Sequence, residues 1–256
     1  MGTGEEEHLT DTGAHLTDRC DRTIIMPAYN EENRIGPVLE EYLQYFNDGT
    51  EMMVLLNGCR DNTREIVCKF IDDYPNLRVV EETGDIGKGG ALILGFRLAR
   101  GDLIGYVDAD GSTAPRDMDR LMGSIGDYDS VIGSRWMDKS VMRVKQSFYR
   151  RFASRVFNLI VRIMFRISYR DIMCGAKAFT RQAVEAIVDQ LGTTNVAFDV
   201  DVLYVLKING FTTEELPLAW EHKPGSKFSP RKEAPRAFGA LVRIKIKHSR
   251  FKNLVK

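Results

Sequence analysis

Two carboxylates stand one residue apart where an apolar run stops. Leu103, Ile104, Tyr106 and Val107 lead into Asp108-Ala109-Asp110, and Gly111 follows. A short apolar run bounded by Gly and Asp has the form of a buried strand in a parallel sheet. Carboxylates at i and i+2 can converge once the backbone turns out of such a strand. Paired hard oxygen donors suit Mg²⁺ or Mn²⁺, and open α/β sheets bind ligands beyond the carboxyl ends of their strands. Asp and Gly are also ordinary turn formers, so a solvated strand-to-loop turn is the plainer alternative.

The elements that must position this pair alternate. Thr23–Met26 reads as a first strand stopped by Pro27, and Ile35–Phe46 as a helix. Glu51–Leu56 is a second strand, Asn57–Thr63 a turn and Arg64–Asp73 a helix, with Leu77–Val80 a third strand. Gly84–Gly90 is a glycine-rich loop carrying Lys88, and Ala91–Arg100 the helix after it. Asp117–Ile125 and Ser130–Ile132 continue the pattern. This rhythm implies βαβ units and a mostly parallel sheet, in a nucleotide-binding arrangement. Gly87-Lys88-Gly89-Gly90 has the look of a phosphate loop, or else of a flexible turn with a solvated Lys. It lacks Walker spacing, and no G-x-G-x-x-G follows a strand, which argues against P-loop and dinucleotide-binding folds.

Length and charge narrow the class. The chain of 256 residues suits one α/β domain, with 36 basic and 36 acidic residues. Residues 1–20 are acidic and polar and read as a flexible leader without the basic start and apolar centre of a signal peptide. Cys20, Cys59, Cys68 and Cys174 are scattered, which favours reduced thiols over a zinc site or disulfide framework. No apolar run reaches the roughly 20 residues that span a bilayer.

Basic residues gather late. Arg151, Arg155, Arg162 and Arg166 share one face of a helix over Ser147–Ile167, beside Phe152, Val156, Leu159, Ile160, Ile163 and Met164. From Arg236 onward there are seven Lys or Arg and no acid, interleaved with Leu241, Val242, Ile244 and Ile246. Basic amphipathic stretches of this kind suit an anionic lipid surface; a core-packed helix with a solvated Arg face is the alternative. Nucleic acid ranks below both, because no reader motif accompanies the charge and the net charge is zero.

Blocks in a fixed order then carry a resemblance. They are Met26-Pro27-Ala28-Tyr29-Asn30-Glu31-Glu32, Asn57–Thr63, Gly87–Gly90, Ala99–Asp102 with Asp108–Gly111, and Gly133-Ser134-Arg135. Arg170–Phe179, Ala197–Asp201 and Gly225-Ser226-Lys227 complete them. Over Arg22 to about Phe228 the chain resembles family 2 glycosyltransferases of the GT-A fold, and within them the dolichyl-phosphate glucose and mannose synthases. Asp171…Cys174-Gly175…Lys177 and Phe198-Asp199-Val200-Asp201 look more like the glucose type.

The resemblance implies a single α/β GT-A domain over 21–230, Rossmann-like, with a basic amphipathic segment over 231–256. It implies an inverting transfer of a hexose, glucose before mannose, from a nucleotide sugar to dolichyl or another polyprenyl phosphate. Pro27, Ala28, Tyr29, Glu31, Asn57, Lys88, Asp108 and Ala109 would bind the nucleotide sugar. Asp110, with Asp108 and Ser112, would hold Mg²⁺ or Mn²⁺. Arg135, Asp171 and Lys177 would meet the acceptor or its phosphate. Asp108, Asp110, Arg135, Asp199 and Asp201 would form the catalytic set. An anionic lipid phosphate needs positioning and charge neutralisation more than a general base. That fits the absence of a motif around His8, His15, His222 or His248. The protein would work peripherally at the cytoplasmic face of a membrane, through its amphipathic helices or a small membrane subunit.

Two departures stand out. The family's second block usually reads Asp-Asp-Gly-Ser, where this chain has Leu56-Asn57-Gly58-Cys59, and Ser112 replaces a ligating Gln of the mannose type. A family 2 enzyme with a soluble or glycan acceptor, and a non-catalytic sugar-nucleotide-binding subunit, are the competing readings.

Overall fold

The computed structural model describes residues 9–13, 19–47, 49–137, 141–142, 148–220 and 230–249. The Gly225-Ser226-Lys227 block, His8, His15 and His222 lie outside them, as do residues 250–256.

The core is an eight-stranded sheet. Its strands are β1 (Leu9–Gly13), β2 (Cys20–Ala28), β3 (Glu51–Asn57), β4 (Leu77–Glu82), β5 (Gly101–Val107), β6 (Ser130–Ser134), β8 (Ala176–Thr180) and β9 (Thr213–Pro217). They lie in the order β1-β4-β3-β2-β5-β8-β6-β9. β4, β3, β2 and β5 are parallel neighbours, as are β6 and β9, while β8 runs antiparallel between β5 and β6. Two short strands, β7 (Val141–Met142) and β10 (Ala219–Trp220), pair with each other.

Alternation along the strands builds two cores. Ile24, Met26, Met52, Val54 and Leu56 face α1 (Ile35–Tyr45), α2 (Thr63–Cys68) and α4 (Pro115–Gly123). Ile25, Met53 and Leu55 face the opposite way. Their layer is α3 (Gly87–Leu98), α5 (Phe148–Phe165), α6 (Arg181–Ile187), α7 (Phe198–Ile208) and α8 (Pro230–Lys247). All seven residues of β3 are buried, as a parallel strand covered on both faces requires.

Four expectations are corrected. β2 runs through Pro27 to Ala28; its pairing with β5 ends at Ile25, so a missing N–H beyond that point is tolerated. Leu9–Gly13, expected within a flexible leader, is an edge strand antiparallel to β4. Asp11 anchors it on Arg78 at 2.7 Å, and Arg78 also meets buried Glu51 at 3.1 Å. The C-terminal segment is not set apart from the domain over its described part, because Leu241 and Ile244 of α8 join the core formed by α5 and α7. Finally, α3 begins at Gly87 rather than Ala91, which puts Lys88 on its first turn.

Candidate active site

β2 connects towards β3 and β4 on one side and has β5 on the other, so the strand order reverses between β2 and β5. A cleft of about 300 Å³ opens beyond their carboxyl ends, where such folds bind ligands. It is lined by Pro27, Ala28, Tyr29, Glu31, Arg34, Asn57, Asp85, Lys88, Asp108, Ala109 and Asp110. Every residue expected to bind the nucleotide sugar is among them. Arg34 and Asp85 line the cleft as well, outside the sequence blocks, though each has a local signal. Arg34 stands three residues after Glu31 and grips its carboxylate with Nε and Nη2 at 2.7 Å. Asp85 precedes a helix start and accepts the Gly87 N–H at 3.0 Å.

The first two sequence blocks hold each other in place. Asn30, at φ 53°, takes the left-handed backbone that Asn tolerates, and its Oδ1 accepts the Arg60 N–H at 2.7 Å. The Glu31 N–H donates to Thr63 Oγ1, the Glu32 N–H to Asp61, and the Asn62 N–H and side-chain amide to Glu32. These bonds lock the wall that presents Tyr29, which is 42% exposed, to the cleft. Asn57 is buried, and its Oδ1 accepts the Ile86 N–H at 3.0 Å. Its amide N–H₂ thus remains the group available to a ligand.

At the floor, Lys88 Nζ lies 2.5 Å from Asp108 Oδ1. Burial alone would lower the pKa of Lys88, but Asp108, Asp199 and Asp110 outweigh it and hold the ammonium charged. Burial raises Asp108, with Asp110 and Asp199 adding to the rise against the pull of Lys88. Asp110 Oδ1 accepts the Ser112 N–H at 2.9 Å. Beneath them, burial would raise Asp199, but Lys177 and then Lys88 hold it below the ordinary carboxylate value. Lys177 Nζ and Tyr106 Oη each lie 2.5 Å from Asp199 Oδ1. Three carboxylates therefore face two ammonium groups, a surplus of negative charge that suits a cation.

A divalent ion fits this donor set in one way. Among the described residues no three His, Cys, Asp or Glu side chains could hold an ion by themselves. Asp110, with Asp108 beside it, offers the one-or-two-carboxylate anchor typical of Mg²⁺ bound together with substrate phosphates and water. Ser112, expected to ligate through its side chain, holds Asp110 through its backbone N–H.

Five further candidates lie outside the cleft lining. Arg135 is closed in a bidentate pair with Asp171, at 2.6 and 2.8 Å, and Asp171 is fully buried. Lys177 is also fully buried, bonded to Asp199 and the Cys174 carbonyl. Arg135, Asp171 and Lys177, expected to meet the acceptor or its phosphate, thus have partners within the protein: Arg135 and Asp171 each other, and Lys177 the Asp199 carboxylate. Asp199 underlies the floor. Asp201 points elsewhere, to the N–H groups of Gly192 and Thr193 and to His248. Depth and helix face decide these outcomes, and neither can be read from a motif's spelling.

Gly175 lies within the Arg170–Phe179 block. A Cβ there would lie 1.9 Å from Asp108 Oδ2, so the glycine makes room for the carboxylate.

Residues 23–188 match the family model described as Glycosyl transferase family 2. The chain is 34% identical to the glycosyltransferase AglD of Haloferax volcanii over 213 residues, covering 80% of this chain and 34% of AglD. It is 30% identical to the dolichyl-phosphate beta-glucosyltransferase of Dictyostelium discoideum, covering 88% of this chain and 74% of that protein. The human dolichyl-phosphate beta-glucosyltransferase is 28% identical, with 81% and 69% covered. The chain thus spans about a third of AglD and roughly seven-tenths of the glucosyltransferases. Among solved structures, glucosyl-3-phosphoglycerate synthase from Mycobacterium tuberculosis, in complex with Mn²⁺, UDP and phosphoglyceric acid, superposes with a TM-score of 0.68. It is 15% identical, with 89% of this chain and 78% of that one covered, a likeness of fold.

Proposed function

Because the chain belongs to glycosyl transferase family 2 and has its GT-A fold, we propose that it moves glucose from UDP-glucose to a dolichyl-type polyprenyl phosphate with inversion. The observation that carries this reading is the convergence of Tyr29, Asn57, Lys88, Asp108 and Asp110 on one cleft at the β2/β5 switch point. The glucose preference is supported by relatives that are dolichyl-phosphate beta-glucosyltransferases.

Tyr29 offers a face on which a base can stack, and the Asn57 amide can donate to a base carbonyl. Lys88, at the amino end of α3, stands where a diphosphate would gain both the ammonium charge and the positive end of the helix. Asp110 and Asp108 would hold Mg²⁺ or Mn²⁺, which when bound neutralises charge on the leaving diphosphate. An oxygen of the acceptor phosphate attacks the sugar's anomeric carbon as the bond to the diphosphate breaks, and UDP leaves with that electron pair. The acceptor oxygen carries no proton to remove, so the residues must align and neutralise.

The lipid-acceptor part rests on α5 and α8. Val161 and Phe165 of α5 and Leu241 and Ile244 of α8 are buried, while Leu159, Ile163, Phe238 and Ile246 are more than half exposed. Exposed Arg155, Arg162, Arg166 and Arg243 flank this apolar ridge. Ridge and charge together suit an anionic leaflet, as at the cytoplasmic face of a membrane. No helix among the described residues is long and apolar enough to cross a bilayer. A small membrane subunit is the other occupant the ridge would accept.

A donor panel tests the reading. Labelled UDP-glucose, GDP-mannose and UDP-N-acetylglucosamine are given separately to the protein with Mn²⁺ and a short polyprenyl phosphate. Label entering the organic phase from UDP-glucose supports it. Label from GDP-mannose alone would replace the sugar, and donor consumption without lipid product would point to a soluble acceptor.

A further inference from the structure

Asp201 was expected in the catalytic set, yet its carboxylate faces away from the cleft and does something definite there. It is fully buried on the first turn of α7. Oδ2 accepts the N–H groups of Gly192 and Thr193 at 3.2 and 3.1 Å, and Oδ1 lies 3.3 Å from His248 Nε2. The loop it holds is the seat of the glycine turn that opens α3. The Gly89 N–H donates to the Thr194 carbonyl at 2.8 Å. A Cβ at Gly87 would lie 2.3 Å from the Thr194 oxygen, and one at Gly89 2.1 Å from the Thr193 oxygen. Lys88 stands between these two glycines. Contact this close leaves the turn no room to settle elsewhere while the loop stays put.

The last helix grips the same loop from outside. Lys247 Nζ donates to the Gln190 carbonyl at 2.7 Å and lies 2.6 Å from where a Gly192 Cβ would be. His248 reaches Asp201 from the residue after α8. The chain of contacts therefore runs from α8, through Asp201 and residues 190–194, to Gly87–Gly89 and the ammonium that meets Asp108.

We propose that Asp201 is a positioning residue for the donor subsite, acting with Lys247 and His248 to strap residues 190–194 against the glycine turn and so fix Lys88 over Asp108. The proposal rests on the reading of the cleft as a nucleotide-sugar site. It explains why Gly87 and Gly89 flank Lys88 where helix propensity would favour almost anything else: close backbone approach outweighs propensity there. It also ties the donor subsite mechanically to a helix whose outer face is the exposed ridge.

The test compares wild type with Asp201→Ala, Asp201→Asn and Lys247→Met. Three quantities are read: amide exchange over residues 87–90 without ligand, UDP affinity with Mn²⁺ by calorimetry, and melting temperature. Asp201→Ala leaves the Gly192 and Thr193 N–H groups without their acceptor, so exchange over 87–90 rises about tenfold and UDP binding by the folded protein weakens about tenfold. Asp201→Asn keeps one carbonyl acceptor and restores most of both. Lys247→Met, which loses one surface-side contact, moves both in the same direction by less. A folded Asp201→Ala protein with lower melting temperature but unchanged exchange and UDP affinity would overturn the proposal. Should Asp201→Ala not fold, unchanged values in Lys247→Met would do the same. If wild type binds no UDP while the exchange pattern shifts as expected, the strap stands and the nucleotide reading of the cleft falls.

Discussion

At the residue scale, the cleft is a set of charges held at contact distance, so small steric changes should act on chemistry more than on folding. Gly175→Ala would drive a methyl into Asp108 Oδ2. Transfer should fall about a hundredfold from misplacement of that carboxylate, with melting temperature within a few degrees of wild type, as read by paired rate and thermal measurements. Lys177 and Asp199 make the opposite case. Replacing Lys177 by Met leaves Asp199 buried without its nearest cation, which costs about 3–5 kcal/mol. The pH dependence has a definite sign. In wild type Asp199 is held below its ordinary value, so its ionised form stabilises the fold above about pH 4, and that contribution is lost as pH falls through the lowered value. In Lys177→Met the gap from wild type should be widest at neutral pH and narrow on acidification, as urea unfolding at stepped pH would reveal. Cys174, pushed up to about 12 by burial and then by Asp171, should resist alkylation at pH 8 in the folded protein and react once unfolded.

Motif spelling singled out residues that share one cleft, because Pro27, Tyr29, Asn57, Lys88, Asp108 and Asp110 stand at strand ends or a helix start, where chain direction brings them to one end of the sheet. Arg135, Asp171 and Lys177 lie outside the lining of that cleft. Acidic and basic residues in a motif look alike whether they meet a ligand or neutralise one another underground, and only depth separates the two. Arg34 and Asp85 were passed over because they sit beside the blocks instead of within them.

At the element scale, strand–helix alternation made the parallel half of the sheet legible from Thr23 to Val107. β8 was not, since five residues flanked by a motif carry no periodicity that tells an antiparallel insertion from a loop. The two basic amphipathic helices were legible as such, but not the division of each into a buried and an exposed apolar stripe, which depends on their packing together with α7. That division yields a prediction. Ile163→Glu with Ile246→Glu places charge on two of the most exposed ridge residues, at 72% and 64%. Flotation with anionic vesicles should be lost, while UDP affinity and melting temperature stay as in wild type. Retained flotation would remove the ridge from the membrane account.

At the scale of the whole molecule, the cleft opens beyond the carboxyl ends of the central strands β2 and β5, and the exposed apolar residues of α5 and α8 lie in the helical layer on one face of the sheet. The acidic start of the chain contributes an edge strand through Asp11 and Arg78, a long-range pairing that no local pattern announces. The central claim is that the carboxylates after β5 organise glucosyl transfer to a lipid phosphate. Its most direct test is the initial rate of label transfer from UDP-glucose to polyprenyl phosphate for Asp110→Ala relative to wild type, with Mn²⁺ present. Losing the anchor of the group that neutralises the leaving diphosphate should cut the rate by about a thousandfold. A variant that folds like wild type and keeps transferring at a comparable rate would contradict the account.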